Sequence, residues 1–538
     1  MMKKTIKKLL AALLAVAMVC AMAIPAFAGT EGDITTWHSF SAFQIFKGKV
    51  EGNDIKDFKI SNVEWGSNIA DDAAAFLDQL KSADTIGPLF TKANSAQDVL
   101  AVISQWNNSD ANSIAFARFV CHYLYPDANA KPKPAVEGGG GSDHIHFDEA
   151  GYYLVVDTTP FNPGDSDHAY NSFLLMVTHD NWNVPITPKA EKPSVKKEVF
   201  DNFDNQDGTS TGDFGSSADH AINEKFQFKL TATLPASTDH AYDYYDTYAV
   251  CFKDTLSEGI TYDGPDSVVI ESKGNPGNRY DITDSSTIDI SKLESQNYFE
   301  VNIHDVKACA KDAGFDLNDG ATITFTYTAH LNEKAYVNIG SGSTENKNSV
   351  QLKYSNNPRP GDYWGTTPKS EVYVFTYQLN NTKLAETENG TPLPGAVFQL
   401  YSDKDCTQEV KLYKVGNIYY PIKDATDKNK DAVQMISGQD GQFNVKGLDA
   451  GTYYLKEITP PSGYSACANK EIVISATHDV NHVDLSGNLS TTIINKKAGG
   501  ITLPSTGGIG TTLFYVVGGG LMVAAIVLLV TKKRMENK

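Results

Sequence analysis

The feature that most constrains this chain lies at its end. Thr511 to Val530 is a mostly apolar stretch followed by Lys532, Lys533 and Arg534. A run of that length, ~20 residues, can cross a bilayer as one helix, and the basic residues behind it hold that end on the cytoplasmic side. Directly before it stands Leu503-Pro504-Ser505-Thr506-Gly507. At the other end, Lys3, Lys4, Lys7 and Lys8 precede an apolar run from Leu9 to Ile24, and Ala26-Phe27-Ala28 supplies the small residues a signal peptidase needs. Residues 1–28 therefore read as a secretory signal peptide. Gly29 is expected to start the mature chain, 511–530 to be a transmembrane helix and 531–538 a cytoplasmic tail. What lies between is expected to fold outside the membrane.

Charge and cysteine narrow the classes of function. The chain carries 46 Lys and Arg against 65 Asp and Glu, a formal net charge of −19. Loss of the basic leader and tail makes the remainder more acidic still, which argues against nucleic acid or anionic lipid as a partner. Cys20 leaves with the signal. Cys121, Cys251, Cys309, Cys406 and Cys467 remain, an odd set with no CxxC spacing, so a disulfide framework is not indicated. No His-Glu-x-x-His, Gly-x-Ser-x-Gly or Cys/His nucleophile pair is present. The chain is not expected to be an enzyme or to need a cofactor.

Residues 29–188 read as a mixed α/β domain. Phe43-Gln44-Ile45-Phe46 suits a strand. Helices are expected over Ala70 to Ala83, after the capping residue Ser95, and over Ile114 to Tyr125, each with an apolar stripe. Gly151 to Asp157 and Phe173 to Val177 read as strands. His144 and His146 form an HxH pair, but without a clear third ligand an exposed polar strand face is the better reading than a metal site. The acidic loop Asp201 to Gly208 fails the EF-hand spacing, so no metal is expected there either.

Prolines 185, 188 and 193 are then expected to keep the backbone extended and to deny sheet pairing, holding Lys189 out on a stiff joint. Residues 189–365 read as all β. Ser194 to Val199 alternates, so Val195, Lys197 and Val199 share one face and Lys197 points inward. A lone buried lysine is costly unless something neutralises it. Asn348, Val350 and Leu352 share a face in the same way. Residues 370–498 form a third, β-rich segment containing Tyr373 to Leu384, Gly451-Thr-Tyr-Tyr-Leu-Lys-Glu457 and Thr491-Thr-Ile-Ile-Asn495.

These phrases carry a family resemblance. The Leu-Pro-x-Thr-Gly pentapeptide, apolar span and basic tail, in that order, resemble the cell-wall sorting signal of Gram-positive bacteria. The resemblance implies that a sortase cuts between Thr506 and Gly507 and passes the Thr506 carboxyl to an amine. Lys189, in a Pro-Lys context at the end of the first domain, resembles the pilin-motif lysine of sortase-assembled pili. It would be the acceptor, with Lys192 as the fallback, because Thr187 stands where the family has an aromatic residue. The 189–365 and 370–498 segments resemble immunoglobulin-like pilin and collagen-adhesin B-type domains, in which a Lys–Asn isopeptide bond welds first and last strands. Carried over, the second domain would use Lys197, Asn348 and, as acid, Asp219 or alternatively Glu224. The third would use Lys383, Glu457 and Asn495.

The resemblance thus implies a mainly β fold of tandem immunoglobulin-like (Cna-type) β-sandwich domains behind a mixed α/β N-terminal domain. The implied function is that of a pilus backbone subunit. Its partners would be a pilin-specific class C sortase, identical subunits, peptidoglycan through a housekeeping sortase, and a host or cell-surface ligand. The alternative is an ancillary pilin or a singly anchored surface adhesin. Aligning Tyr152-Tyr153-Leu154 on Tyr453-Tyr454-Leu455 puts Val156 where Glu457 stands, so the first domain is expected to carry no bond of this type.

Overall fold

The computed structural model describes residues 39–498, except 52–58, 107–109, 140–143, 159–171, 178–179, 181, 186–191, 203–211, 239, 294–296, 338–344, 360–363, 480–481 and 488, together with 521–530 and 532–533. The signal peptide, Lys189 and the 503–507 pentapeptide lie outside the described residues. Of the expected membrane span, residues 521–530 are described and are helical. Among the described residues, no helix is long and apolar enough to cross a membrane.

The N-terminal segment is α/β. The strand Ser39–Glu51 is flanked by Lys59–Trp65 and Gly151–Asp157, the latter pairing on to Ser172–Val177, and Val136–Gly139 also joins Ser39–Glu51. Helices Ala73–Ser82, Ala96–Ile103 and Ala111–Leu124 pack on one face of this sheet through Phe76, Leu80, Val99, Leu100, Phe116 and Val120. Ser95 caps the second helix, its hydroxyl accepting from Asp98 N at 3.2 Å, which satisfies one of the orphan donors at the helix start. The first helix is shorter than expected: Ala70–Asp72 forms a 3₁₀ turn ahead of it. The opposite face of the sheet buries Phe40, Ala42, Tyr153 and Val155 under the small His144–Phe147 and Trp182–Pro185 pair. Val156 is fully buried among apolar side chains.

The middle segment is a sandwich of two sheets. One runs Arg279–Asp281, Ile260–Ser272, Ala321–Leu331, Lys225–Leu234, Ser194–Asp201, Asp213–Gly215. The other runs Ser217–Asp219, Ser370–Phe375, Lys347–Ser355, Val250–Leu256, Tyr298–Ile303, Ile288–Leu293, with Trp364–Thr366 beside Lys347–Ser355. Strict alternation explains the division of faces. In Ala321–Leu331 every second residue is buried, as period-two side-chain geometry requires.

Ser370–Phe375 corrects the sequence-based boundary. The sequence places it in the third domain, whereas it pairs antiparallel with Lys347–Ser355 in the middle sandwich. Its alternation serves two cores. Val372 and Val374 enter the middle core, while Tyr373 and Phe375 enter the next one. Only Thr376 separates it from Tyr377–Ala385, the first strand of the third sandwich.

That last sandwich has one sheet ordered Leu412–Val415, Ile418–Pro421, Asn444–Leu448, Tyr377–Ala385, Ser490–Asn495. The other is ordered Met435–Ile436, Val397–Tyr401, Gly451–Thr459, Lys470–Asp479, His482–Gly487. Its seam with the middle sandwich is tight. Ile222 N donates to Gly447 O at 2.9 Å, Asn223 Nδ2 donates to Pro421 O at 3.0 Å, and Lys446 Nζ donates to Glu333 O at 2.9 Å.

Gly447 is required at this seam. Its φ is +88°, and a Cβ there would stand 2.5 Å from the Ile222 side chain. Gly447→Ala is therefore expected to cost about 2–4 kcal/mol, from left-handed backbone strain together with overpacking. Gly463→Ala, at φ +83° with nothing within 4 Å of the added carbon, should cost only the backbone part, about 1–2 kcal/mol. Urea denaturation of both variants checks the ordering, and equal losses would contradict it.

Candidate covalent cross-link sites

Two buried lysines organise the two sandwiches. Lys197, on Ser194–Asp201, faces across the middle core toward the opposite sheet. Its Nζ hydrogen-bonds Asp254 Oδ2 and donates to Tyr327 OH at 3.1 Å. The Lys197 and Asp254 side chains are completely buried. Tyr327 OH donates to Asp254 Oδ1 at 3.2 Å, and Asn348 Nδ2 donates to Tyr327 OH. The amine also sits over the rings of Phe228 and Tyr327, 5.0 and 5.2 Å from their centroids. Asn348 is fully buried, and its Oδ1 makes no hydrogen bond.

This arrangement corrects the assignment of the acid. Asp219 lies on Ser217–Asp219 at the seam with the third sandwich, where its Oδ2 accepts from Tyr377 OH at 2.9 Å. Glu224 accepts from Asn202 Nδ2 at 2.8 Å. The carboxylate the fold brings to Lys197 is Asp254. The reason is register. Val250–Leu256 lies beside Lys347–Ser355 with Leu256 opposite Asn348 and Asp254 opposite Val350, so Asp254 and Asn348 reach the core from adjacent strands. The sequence held a usable signal: Asp254 alternates with Val250, Phe252 and Leu256, an acid on an otherwise apolar face, as Lys197 is a base on one.

In the third sandwich the sequence-predicted residues are brought together. Lys383 on Tyr377–Ala385 hydrogen-bonds Asn495 Oδ1 through Nζ. It stands 3.5 Å from Glu457 Oε1, with both side chains completely buried. Asn495 Nδ2 donates to Glu457 Oε1 at 2.7 Å, and Cys467 N donates to Glu457 Oε2 at 2.8 Å. Tyr377–Ala385 and Ser490–Asn495 run parallel, with Ala385 opposite Asn495, so Lys383 and Asn495 are diagonal neighbours on one sheet face. Phe398 lies beneath the amine at 5.4 Å.

Burial sets the electrostatics of both sites. It pushes the Lys197 amine down to about 8, against a smaller opposing pull from Asp254. It pushes the Asp254 carboxyl up and the Lys383 amine down, there opposed by Cys467 and Glu457. Taking an ammonium or a carboxylate out of water disfavours the charged form of each. The Lys197–Asp254 pair is thereby suited to the neutral amine and protonated acid that amide exchange requires, and Lys383 to the neutral amine.

The other sequence-flagged residues are dispersed. Lys192 is exposed. His146 hydrogen-bonds Asn183 Oδ1 at 2.9 Å and lies 3.4 Å from Asp148; the His144 side chain lies outside the described residues.

Two family models match the chain. The SpaA prealbumin-like fold domain matches residues 378–488, and the LPXTG cell wall anchor motif matches residues 495–537. This is a cell-wall-anchored surface protein. The prealbumin-like match contains Lys383 and Glu457, and Asn495 opens the anchor match. No curated protein matches. Among solved structures, the chain is similar to the T6 backbone pilin of serotype M6 Streptococcus pyogenes at 17% identity, over 86% of this chain and 96% of that one, with a TM-score of 0.48. It is similar to the full-length major pilin SpaD of Corynebacterium diphtheriae at 19% identity, over 70% and 86%, with a TM-score of 0.41. It is similar to a C-terminal fragment of the major pilin GBS80 of Streptococcus agalactiae at 21% identity, over 57% and 100%, with a TM-score of 0.41.

The depressed Lys197 amine gives a pH test. In Asn348→Ala the amine remains titratable, with a folded value of about 8 against an ordinary 10.5. The unfolded chain then binds the extra proton between those values, so stability rises as pH climbs through that window. The urea midpoint of Asn348→Ala should increase from pH 8 to 10.5, and that increase should vanish in the Lys197→Met/Asn348→Ala double variant. A falling midpoint in the single variant would contradict the assignment.

Proposed function

We propose that the chain is the structural backbone subunit of a covalently polymerised pilus. A class C sortase joins Thr506 of one subunit to Lys189 of the next, and a housekeeping sortase transfers the base of the filament to peptidoglycan. The observation that carries the reading is the placement of one dry Lys–acid–Asn cluster in each of the two sandwiches that lie in series between Lys189 and Thr506. In this reading Lys197 is welded to Asn348 and Lys383 to Asn495.

The chemistry follows from the contacts. A neutral Nζ attacks the Asn Cγ, a C–N bond forms, and the side-chain nitrogen departs as ammonia. One proton must travel from Nζ to that leaving nitrogen. In the third sandwich Glu457 touches both ends of this path, since its Oε1 faces Lys383 Nζ and accepts from Asn495 Nδ2. In the middle sandwich the path has an extra member. Asp254 contacts Lys197, Tyr327 bonds Asp254, and Asn348 Nδ2 bonds Tyr327. Tyr327 is therefore the relay between acid and leaving group.

Mechanically, a filament joined through these ends loads both sandwiches. Each weld closes a long loop, Lys383 and Asn495 being 112 residues apart. By the loop-closure argument used for disulfides, a cross-link of that span is worth ~4–5 kcal/mol.

Three outcomes test the reading. Bacteria expressing the wild-type chain should show an SDS-resistant ladder that Lys189→Ala abolishes and Lys192→Ala does not; a wild-type chain recovered only as monomer would remove the polymer from the account, and a ladder persisting in Lys189→Ala would remove Lys189 as the acceptor. By intact mass, the purified chain should lack two ammonias, Asp254→Ala one fewer, and Asp219→Ala the same two as wild type. Tyr327→Phe should slow the middle weld by tenfold or more, ~1.4 kcal/mol or above, while leaving the Lys383 weld unchanged. An unaltered rate would remove the relay.

A further inference from the structure

A second cluster of ionisable groups lies at the seam of the two sandwiches, apart from both lysines. His220, Glu224 and Asp449 each present a ligand atom, and these atoms all lie within 4.8 Å of one another. His220 is fully buried, its ring stacked on Phe226 with centroids 4.2 Å apart. Its Nε2 donates to the Phe200 carbonyl at 2.7 Å, so the proton is held on that side and the Nδ1 lone pair is left open. Nδ1 is buried, makes no hydrogen bond, and points toward Glu224 Oε1 at 4.0 Å. A bare lone pair facing two carboxylates, buried with no donor, is an unfavourable arrangement. A cation between them resolves it.

The surroundings are those of a ligand set. A histidine that binds metal through one ring nitrogen commonly donates its other N–H to a carbonyl or carboxylate, which fixes the tautomer and the ring. Glu224 is oriented by Asn202 Nδ2 at 2.8 Å and Ala221 N at 3.2 Å, with Lys423 Nζ 3.8 Å away. Asp449, 8% exposed, accepts from Ala450 N at 2.9 Å. Glu224 and Asp449 also line a cavity of about 440 Å³ that leaves room for water to complete a coordination shell. Imidazole with two carboxylates favours ions of the zinc class over calcium or magnesium.

We propose that His220, Glu224 and Asp449 form a binding site for a divalent transition-metal ion of the zinc class. His220 and Glu224 belong to the middle sandwich and Asp449 to the last, so the ion ties the two together. Bonds of ~2.0–2.2 Å require the 4.8 Å spread to contract. Glu224, whose side chain is 17% exposed, turns inward to close it.

The test uses the full chain purified in detergent, stripped with EDTA and titrated calorimetrically with zinc, calcium and magnesium chlorides. One zinc should bind per chain, with excess calcium or magnesium failing to displace it, and zinc should raise the melting temperature. Asp449→Asn and Glu224→Gln, which conserve shape, should each weaken zinc by about tenfold or more. His220→Gln should do the same, while His146→Gln and His478→Gln should bind as wild type, His478 being the seam histidine whose Nε2 lies 3.5 Å from Asp201 and 3.7 Å from Asp219. No zinc binding overturns the site, as does binding unchanged in Asp449→Asn and Glu224→Gln, or binding lost in His146→Gln or His478→Gln instead.

Discussion

Everything distinctive in these two sandwiches depends on an amine held away from water beside a carboxyl group. An ammonium ion in a β-sandwich core is expensive, and a carboxylate is equally so. Placing both in one dry, aromatic-walled pocket lets the pair neutralise itself by sharing a proton. Lys197 lies between Asp254, Tyr327 and Phe228, and Lys383 between Glu457, Asn495 and Phe398. A design concerned only with stability would fill such a position with an apolar side chain. Retaining the amine, and setting an asparagine amide against or beside it, makes sense where the amine has chemistry to perform.

The two clusters solve the problem with different topologies. Lys383 and Asn495 sit on neighbouring parallel strands of one sheet, so a bond between them would run along the sheet edge. Lys197 and Asn348 belong to facing sheets, and a bond between them would cross the core. In the middle sandwich Tyr327 stands between acid and amide, bonding both. Nor is Asn348 on the final strand, because Ser370–Phe375 follows it in the same sheet and carries Tyr373 and Phe375 into the next core. That shared strand, with Gly447 pressed on Ile222, makes the joint between the sandwiches an extension of their cores.

Much of this was legible in the sequence, and the gaps have physical causes. Alternation alone put Lys197 and Asn348 on inward faces, because a strand leaves a side chain only two directions. The Gly451 to Glu457 phrase marks the carboxyl group that lies beside Lys383 and Asn495. The sequence does not single out Asp254, because pairing between distant strands decides which acid meets which amine, and one sequence does not display that pairing. The same alternation that exposed Lys197 also marks Asp254 once Val250–Leu256 is read as a strand. The sequence places Ser370–Phe375 in the third sandwich, whereas it pairs in the middle one, because both of its faces are apolar and a pattern read for one core does not separate them. The first helix began late because its opening residues adopt a tighter 3₁₀ turn.

The central claim is that Lys197 and Lys383 end as amides. Tandem mass spectrometry of a proteolytic digest of the mature protein tests it most directly. The account predicts branched peptides in which the Lys197 segment is joined to that of Asn348, and the Lys383 segment to that of Asn495, each lighter by one ammonia than its two parts. Recovery of all four segments as separate linear peptides, with both asparagines intact, would contradict it.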